Sequence, residues 1–376
     1  MAFDASQHNY LHLCLILYDL SGLRVSSNSF LKFLSLYVLY PLLLIMFVMV
    51  HLNVWFKHAN IFEITEVFTS ICIVASMCIR KTVLIQYGST FEDVIQKHSQ
   101  FWDYGLFGTK TESRLRKNME FCFLLLKCFI ISGIASIIVR CFSPLFMKEL
   151  LLPQDCWIPG NQPVAKKIIY VLQIIFYIES MTYTPLFDGL YIIMTGNLKS
   201  QLILLQKAIE SIDLKRQDDE TSWRRVKECC QHHKFLLSIL KKINKMYSNF
   251  FVCTYLLTII GICIPLFVIF DKSSNLTQIV ESILVAIVMN TLLIMICIPG
   301  SEIEIEADRL ITQIYNLNWY ETRSLKIRKF ILFWLMQVQV PVQIKGGGVL
   351  AVNRALILQI QRIAYSASTL LTGLTS

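Results

Sequence analysis

Glu179 stands near the middle of an apolar run from about residue 168 to 195, flanked by Ser180, Thr182 and Tyr183. A polar cluster at that depth of a membrane-spanning stretch has to face protein or water. Two chemistries meet that requirement. The cluster can hydrogen-bond a neighbouring helix, or it can anchor the polar group of a ligand in an otherwise apolar pocket. Asp188 and Glu281 lie near the ends of their runs. Lys127 and Arg140 lie near opposite ends of another, where long cationic side chains snorkel to the interface. No His-Glu-x-x-His, Gly-x-Ser-x-Gly or phosphate-binding loop occurs, and no catalytic constellation is found, so the chain does not read as an enzyme. The run Gly346-Gly347-Gly348 lacks the Lys-Ser/Thr of a phosphate loop and reads as a flexible joint between helices. His232 and His233 read as surface or packing residues. The 12 cysteines show no metal spacing and sit mostly in apolar runs, as small buried hydrophobes do, so no metal or cofactor is expected. Cys141 and Cys156 could meet on one side of the membrane, which leaves a disulfide open.

The last apolar run, 347–371, is two-sided on a helical wheel. Arg354, Gln361, Arg362, Tyr365, Ser366, Ser368, Thr369 and Thr372 gather on one side. Leu356, Ile360, Ile363, Ala367, Leu371 and Leu374 gather on the other. The polar side is either an interior packing face or the wall of a water-filled pore, and a pore needs several copies around an axis.

The elements that must position these residues are transmembrane helices. Hydrophobic residues make up 55% of the 376-residue chain and charged residues 16%, where soluble domains carry about a quarter charged. Apolar runs at about 31–56, 61–85, 119–146, 168–195, 246–270, 276–298 and 347–371 predict an all-α bundle of seven transmembrane helices. The net charge of +9 does not indicate nucleic acid, because the basic residues sit between the apolar runs, where they set topology and meet lipid headgroups. Arg80, Lys81, Lys97, Lys110, Arg114, Arg116 and Lys117 follow the second run. A longer series from Lys199 to Lys245 follows the fourth, and Arg309 to Lys329 the sixth. The other loops hold few cations, so the N-terminus is cytoplasmic. The glycosylation sequon Asn275-Leu276-Thr277 falls on the outer side. G-protein-coupled receptors have the opposite orientation, and their acidic-Arg-aromatic and Asn-Pro signatures are missing. The segment Met1–Arg24 lacks signal-peptide features and reads as an amphipathic helix on the bilayer, with Leu11, Leu15 and Tyr18 on one side. Helical spacing at Leu198, Leu202, Leu205 and Ile209, and again from Val226 to Ile243, extends spans four and five into the cytoplasm. Another amphipathic helix lies between 321 and 340. The expected division is 1–30 (N-terminal interfacial helix), 31–320 (six-span bundle), 321–345 (cytoplasmic anchor helix) and 346–376 (last span).

Several motifs are more specific. Gly300-Ser301-Glu302, the stretch Ile314-Tyr315-Asn316-Leu317-Asn318-Trp319-Tyr320, then Ile327-Arg328-Lys329, Pro341, Gly346 and Ala364-Tyr365-Ser366 follow span six. Leu152-Pro153 and Trp157-Ile158-Pro159 stand in the second outer loop, and Glu228-Cys229-Cys230-Gln231-His232-His233 leads into span five. In these motifs the chain resembles the insect odorant receptors. It departs from them at Ala364–Ser368, where a second aromatic is missing. The resemblance implies a ligand-gated, non-selective cation channel, tetrameric around a pore lined by the last span and anchored between subunits by the cytoplasmic helices. The short loop before span five implies an odour-specific subunit that works in a heterotetramer with a co-receptor subunit. The expected setting is the plasma membrane of olfactory sensory neurons and the ligand a small volatile organic molecule. The implied pore stripe is Gln359, Arg362, Ser366, Leu370 and Gly373, narrowest at Leu370, with Leu374 beside it. The implied pocket, in the outer half between spans two, three, four and six, offers Phe68, Cys72, Ser136, Arg140, Phe176, Glu179, Tyr183, Leu284 and Val288. A gustatory-type receptor channel is the nearest alternative. A transporter is a further one, without the inverted repeats that would favour it.

Overall fold

Apolar runs of this length become helices because lipid offers no partner for an open backbone. The computed structural model describes residues 5–24, 28–56, 61–146, 152–153, 156–158, 162–215, 218–270 and 276–375. The helices are α1 (Ala5–Leu20), α2 (Ser29–Phe33), α3 (Tyr40–Phe56), α4 (Ile61–Lys97), α5 (Thr109–Phe146), α6 (Pro163–Glu210), α7 (Asp219–Phe270), α8 (Leu276–Tyr315), α9 (Leu325–Val338) and α10 (Arg354–Thr375). A π-helical turn, Leu34–Leu39, joins α2 to α3. The fold is an all-α polytopic bundle. Among the described residues, five stretches are long and apolar enough to cross a membrane: Ser29–Asn53, Ser70–Phe107, Thr109–Ala135, Asp219–Phe270 and Gln278–Tyr315. Two further helices, α6 and α10, are more polar. The first carries Gln173, Glu179 and Asp188 where it would cross, and the second carries Arg362 among hydroxyl residues.

The long helices start and stop for local reasons. Pro163 begins α6 at a position where its missing N–H has no helical partner to lose. Asp219 and Glu220 place negative charge at the positive end of α7. At 48 and 52 residues these helices are about 72 and 78 Å long, against a hydrocarbon core of about 30 Å. The excess forms the cytoplasmic extensions that the spacing of Leu198–Ile209 and Val226–Ile243 predicts.

The hub of the bundle is α6, which packs against α1, α4, α5, α7 and α8. Between Leu186 and Leu205 nearly every residue is buried, as expected for a helix covered on all sides. Gly189 permits the closest approach, because a Cβ there would lie 2.8 Å from a Leu126 methyl of α5. The main core runs through this inner region and into the cytoplasmic extensions. A smaller cluster, with Leu43, Val50, Val74, Leu152, Cys156, Phe176 and Tyr177, fills the outer end between α3, α4 and α6. Cys141 and Cys156 are both buried there, and Gln173 Nε2 lies 3.5 Å from Cys156 Sγ.

Three expectations change. The N-terminal helix docks on the bundle: Leu11, Cys14 and Tyr18 are buried against it, and Tyr18 Oη donates to Gly88 O at 3.3 Å. The glycine run is no loose joint. Lys345–Gly346 and Leu350–Ala351 pair as an antiparallel hairpin, with Gly347 and Gly348 at φ of 59° and 75°. Glycine takes that left-handed backbone without strain. The hairpin is tied to α7, since Lys345 N donates to Asn244 Oδ1 at 3.1 Å and Gly347 N to Ser248 O at 3.3 Å. The last helix therefore starts at Arg354, after the hairpin, rather than at 347.

Candidate ligand site and pore face

Glu179 does not stand alone on α6. Lys81 of α4 reaches across and pairs with it; the lysine side chain is wholly buried. Its Nζ also lies 5.9 Å from the ring centre of Tyr40 on α3 and 5.7 Å from that of Tyr183 on α6. The neighbouring Arg80 turns inward as well. Its Nε donates to both oxygens of Asp188 at 3.1 Å, its Nη2 lies 3.0 Å from Oδ2, and its guanidinium stands 5.0 Å from the Phe250 ring centre. Buried charges persist only when paired in this way. Counting Arg80 and Lys81 as loop cations on the inner side is thereby corrected: both lie inside the bundle. The sequence carries the signal: the apolar positions Val83 and Leu84 continue the helix past them, and Phe91 and Val94 stay buried beyond a kink at Tyr87.

The nine expected pocket residues divide. Phe176, Glu179 and Tyr183 share one face of α6 at spacings of three and four. Phe176 and Tyr183 are buried, and Tyr183 Oη has no hydrogen-bond partner among the described residues. Cys72 is buried toward α7, with its Sγ 4.0 Å from Leu257 O. Phe68, Leu284 and Val288 are exposed on the outside of the single chain. The Ser136 and Arg140 side chains, the Leu374 side chain and the whole of Asn275 lie outside the described residues. A water-sized cavity sits deeper, at the junction of α4, α6, α7 and α8, lined by Arg80, Asp188, Tyr191, Phe250, Leu292 and Ile296.

On α10, Leu356, Ile360, Ala364 and Ser368 are buried against α7 and α8. Gln359, Arg362, Ser366, Leu370 and Gly373 are exposed, Leu370 to 70%. The wheel is corrected at three positions, for Ile363 and Leu371 are exposed while Ser368 is buried. The start of α10 is pinned to α8. Arg354 N donates to Ser301 Oγ at 2.7 Å, Arg354 also pairs with Glu302, and Asn353 donates to Glu304 at 3.2 Å. Gly300 leaves room for this junction: a Cβ there would stand 2.0 Å from Val352 O.

The family model described as 7tm Odorant receptor matches residues 60–365. The chain belongs to the 7tm odorant receptor family. It is a multi-pass membrane protein. Odorant receptor Or1 of Anopheles gambiae is 23% identical over 293 residues, covering 70% of each chain. Odorant receptor 88a of Drosophila melanogaster is 23% identical over 234 residues, 61% of this chain and 57% of that receptor's length. The solved insect olfactory receptor OR5 from Machilis hrabei, in complex with eugenol, has the same fold, with a TM-score of 0.80 at 14% identity. The match covers 97% of this receptor chain and 100% of that one.

The motifs that carried the resemblance have structural work in the receptor. Gly300-Ser301-Glu302 forms the junction with α10. His232 stacks on Trp102 at 3.8 Å and 9°, and its Nε2 lies 3.1 Å from Gln201 Oε1. Gln201 also bonds the Trp102 backbone N–H and C=O, at 2.9 and 2.8 Å. Trp334 of α9 donates from Nε1 to His233 Nδ1 at 3.3 Å. Burial pushes both imidazoles down to about 4, so both are neutral at cytosolic pH. The packing alternative for these histidines is the one the geometry supports.

Proposed function

We propose that this receptor is the odour-specific subunit of a ligand-gated, non-selective cation channel. It binds a small volatile organic molecule in the outer half of the bundle and opens a central pore in a heterotetramer with a co-receptor subunit. Its place is the plasma membrane of olfactory sensory neurons. The observation that carries this reading is the α10 stripe. Gln359, Arg362, Ser366, Leu370 and Gly373 face outward from a single chain while the opposite face is fixed to α7 and α8. A helix with one anchored face and one uncovered face that mixes polar and apolar side chains is suited to an axis shared by several copies. Leu370 is the proposed constriction, where an apolar ring stops ions by dewetting. The OR5 complex holds eugenol, a neutral volatile, and an apolar pocket with a few polar anchors suits ligands of that class. In the same reading residues 1–30, 31–320, 321–345 and 346–376 act as interfacial helix, ligand-binding bundle, anchor and pore segment. The test is current recording from cells expressing the chain with and without the co-receptor, against an odorant panel. Odorant-evoked cation current only with both chains is expected. Surface-delivered complexes that stay silent to every odorant refute the reading.

A further inference from the structure

Lys81 occupies a site with the chemistry of an amine receptor. Its ammonium is paired with the Glu179 carboxylate and lies within 6 Å of two tyrosine rings, at 5.9 Å from Tyr40 and 5.7 Å from Tyr183. Aromatic faces and a carboxylate converging on one ammonium are a general means of binding organic cations. The cage walls come from α3 and α6, and the cation enters on α4. Every feature that holds Nζ is shared by a free primary alkylammonium: one positive charge and three N–H donors. The unpartnered, fully buried Tyr183 hydroxyl adds unused hydrogen-bonding capacity on one wall of the cage.

We propose that Lys81 is a specificity-determining residue: it fills a cation cage of Glu179, Tyr40 and Tyr183 from within the chain and so keeps amines out of the receptor's ligand range. The inference rests on the odorant-receptor reading and deepens it. With Lys81 in place the Glu179 charge is compensated, and the region offers a visiting molecule apolar surface without a bare carboxylate. Without Lys81, the same walls present an uncompensated carboxylate between two aromatic faces, which selects for a cation.

Truncation makes the test direct. Lys81→Ala removes the atoms of n-propylammonium and leaves the cage standing. The variant is expressed with the co-receptor, and surface level and current are both measured with n-propylamine and with its neutral isostere 1-propanol. Wild type is expected to ignore both. Lys81→Ala is expected at a reduced surface level, restored by n-propylamine in the medium. It is expected to respond to n-propylamine at concentrations about tenfold or more below those needed for 1-propanol. The double variant Lys81→Ala/Glu179→Gln should lose that preference, because the carboxylate is gone. The inference is overturned if n-propylamine neither restores surface delivery nor evokes current, or if the preference for amine survives in the double variant. Failure of the channel reading looks different: wild type with the co-receptor is then silent to all odorants, while Glu179-dependent rescue of surface level by amine is still readable.

Discussion

Phe176 and Tyr247 are both buried aromatic residues, but their surroundings differ. Phe176 belongs to the small outer cluster, and the helices around it turn large apolar side chains outward, among them Ile131, Ile134, Ile138, Leu284 and Val288. Tyr247, further in, sits among the rings of Phe91, Phe187, Phe250, Phe251 and Tyr191, and its hydroxyl donates to Phe187 O at 2.9 Å. Close by, the Arg80–Asp188 pair ties α4 to α6. The inner half therefore supplies its own partners, whereas the outer half relies on whatever surrounds the chain. A region with fewer buried contacts opens at lower free energy. In the proposed function, a small molecule would enter the outer half by displacing few protein contacts, while the inner half would keep its shape.

The largest effect should come from the inner half. Asp188→Leu leaves Arg80 buried and uncompensated, which costs about 3–5 kcal/mol and should abolish surface delivery. Arg80→Met/Asp188→Leu should recover most of it, as read by surface labelling and thermal unfolding in detergent. If single and double variants behave alike, the pair does not hold the inner half together. A second perturbation there is acid. The folded pKa of His232 and of His233 is depressed to about 4 from 6.5. Between those values the unfolded chain binds more protons, so stability is complete above about 6.5 and falls as pH drops toward 4. The loss should approach a few kcal/mol and should shrink in His232→Gln, as measured by unfolding of purified protein across pH. A flat profile would show that the imidazoles are already solvated.

The next effect concerns the uncovered face of α10. Leu370→Gln should raise ligand-independent current several-fold or change permeability ratios, because a polar ring wets more readily. Ile360→Gln, on the buried face, should mainly reduce surface level. If Leu370→Gln channels keep normal leak and permeability while Thr369 variants do not, the pore register is displaced by one position. The smallest effect is expected in the outer half. Tyr183→Phe removes a buried hydroxyl that has no partner among the described residues, so stability should hold or rise by about 1 kcal/mol. Sensitivity to ligands that accept a hydrogen bond should fall about tenfold in concentration–response curves, the equivalent of one such bond. An unchanged curve would give the hydroxyl no part in ligand binding.

What could be read from the sequence followed periodicity. The long helices α6 and α7, the separate α9 and the two-sided α10 all appear as helical spacing of apolar residues. Arg80 and Lys81 escape charge counting, which treats every cation beyond an apolar run as a loop residue; the apolar positions that follow show that the chain stays packed past them, and Asp188 and Glu179 on another helix supply their partners. The hairpin at Lys345–Ala351 was hidden for a similar reason. Three consecutive glycines signal unusual backbone, but the contacts that make it rigid come from Asn244 and Ser248, some hundred residues earlier. Leu284 and Val288 show the same limit: apolar character fits a pocket wall and a lipid-facing surface equally, and in the single chain both are exposed.

The length of α7, which carries Pro265 near one end, has a mechanical consequence. One rod of 52 residues touches α4, α8, α9, the hairpin and α10. A rod about 78 Å long that tilts by about one degree moves its far tip by about 1.4 Å, given a rise of 1.5 Å per residue. In the proposed gating, an odorant that shifts a few side chains at one end by a fraction of an ångström would work with leverage. Because the hairpin is fastened to the rod near its middle, that gating would reach the last helix as a pull on its root.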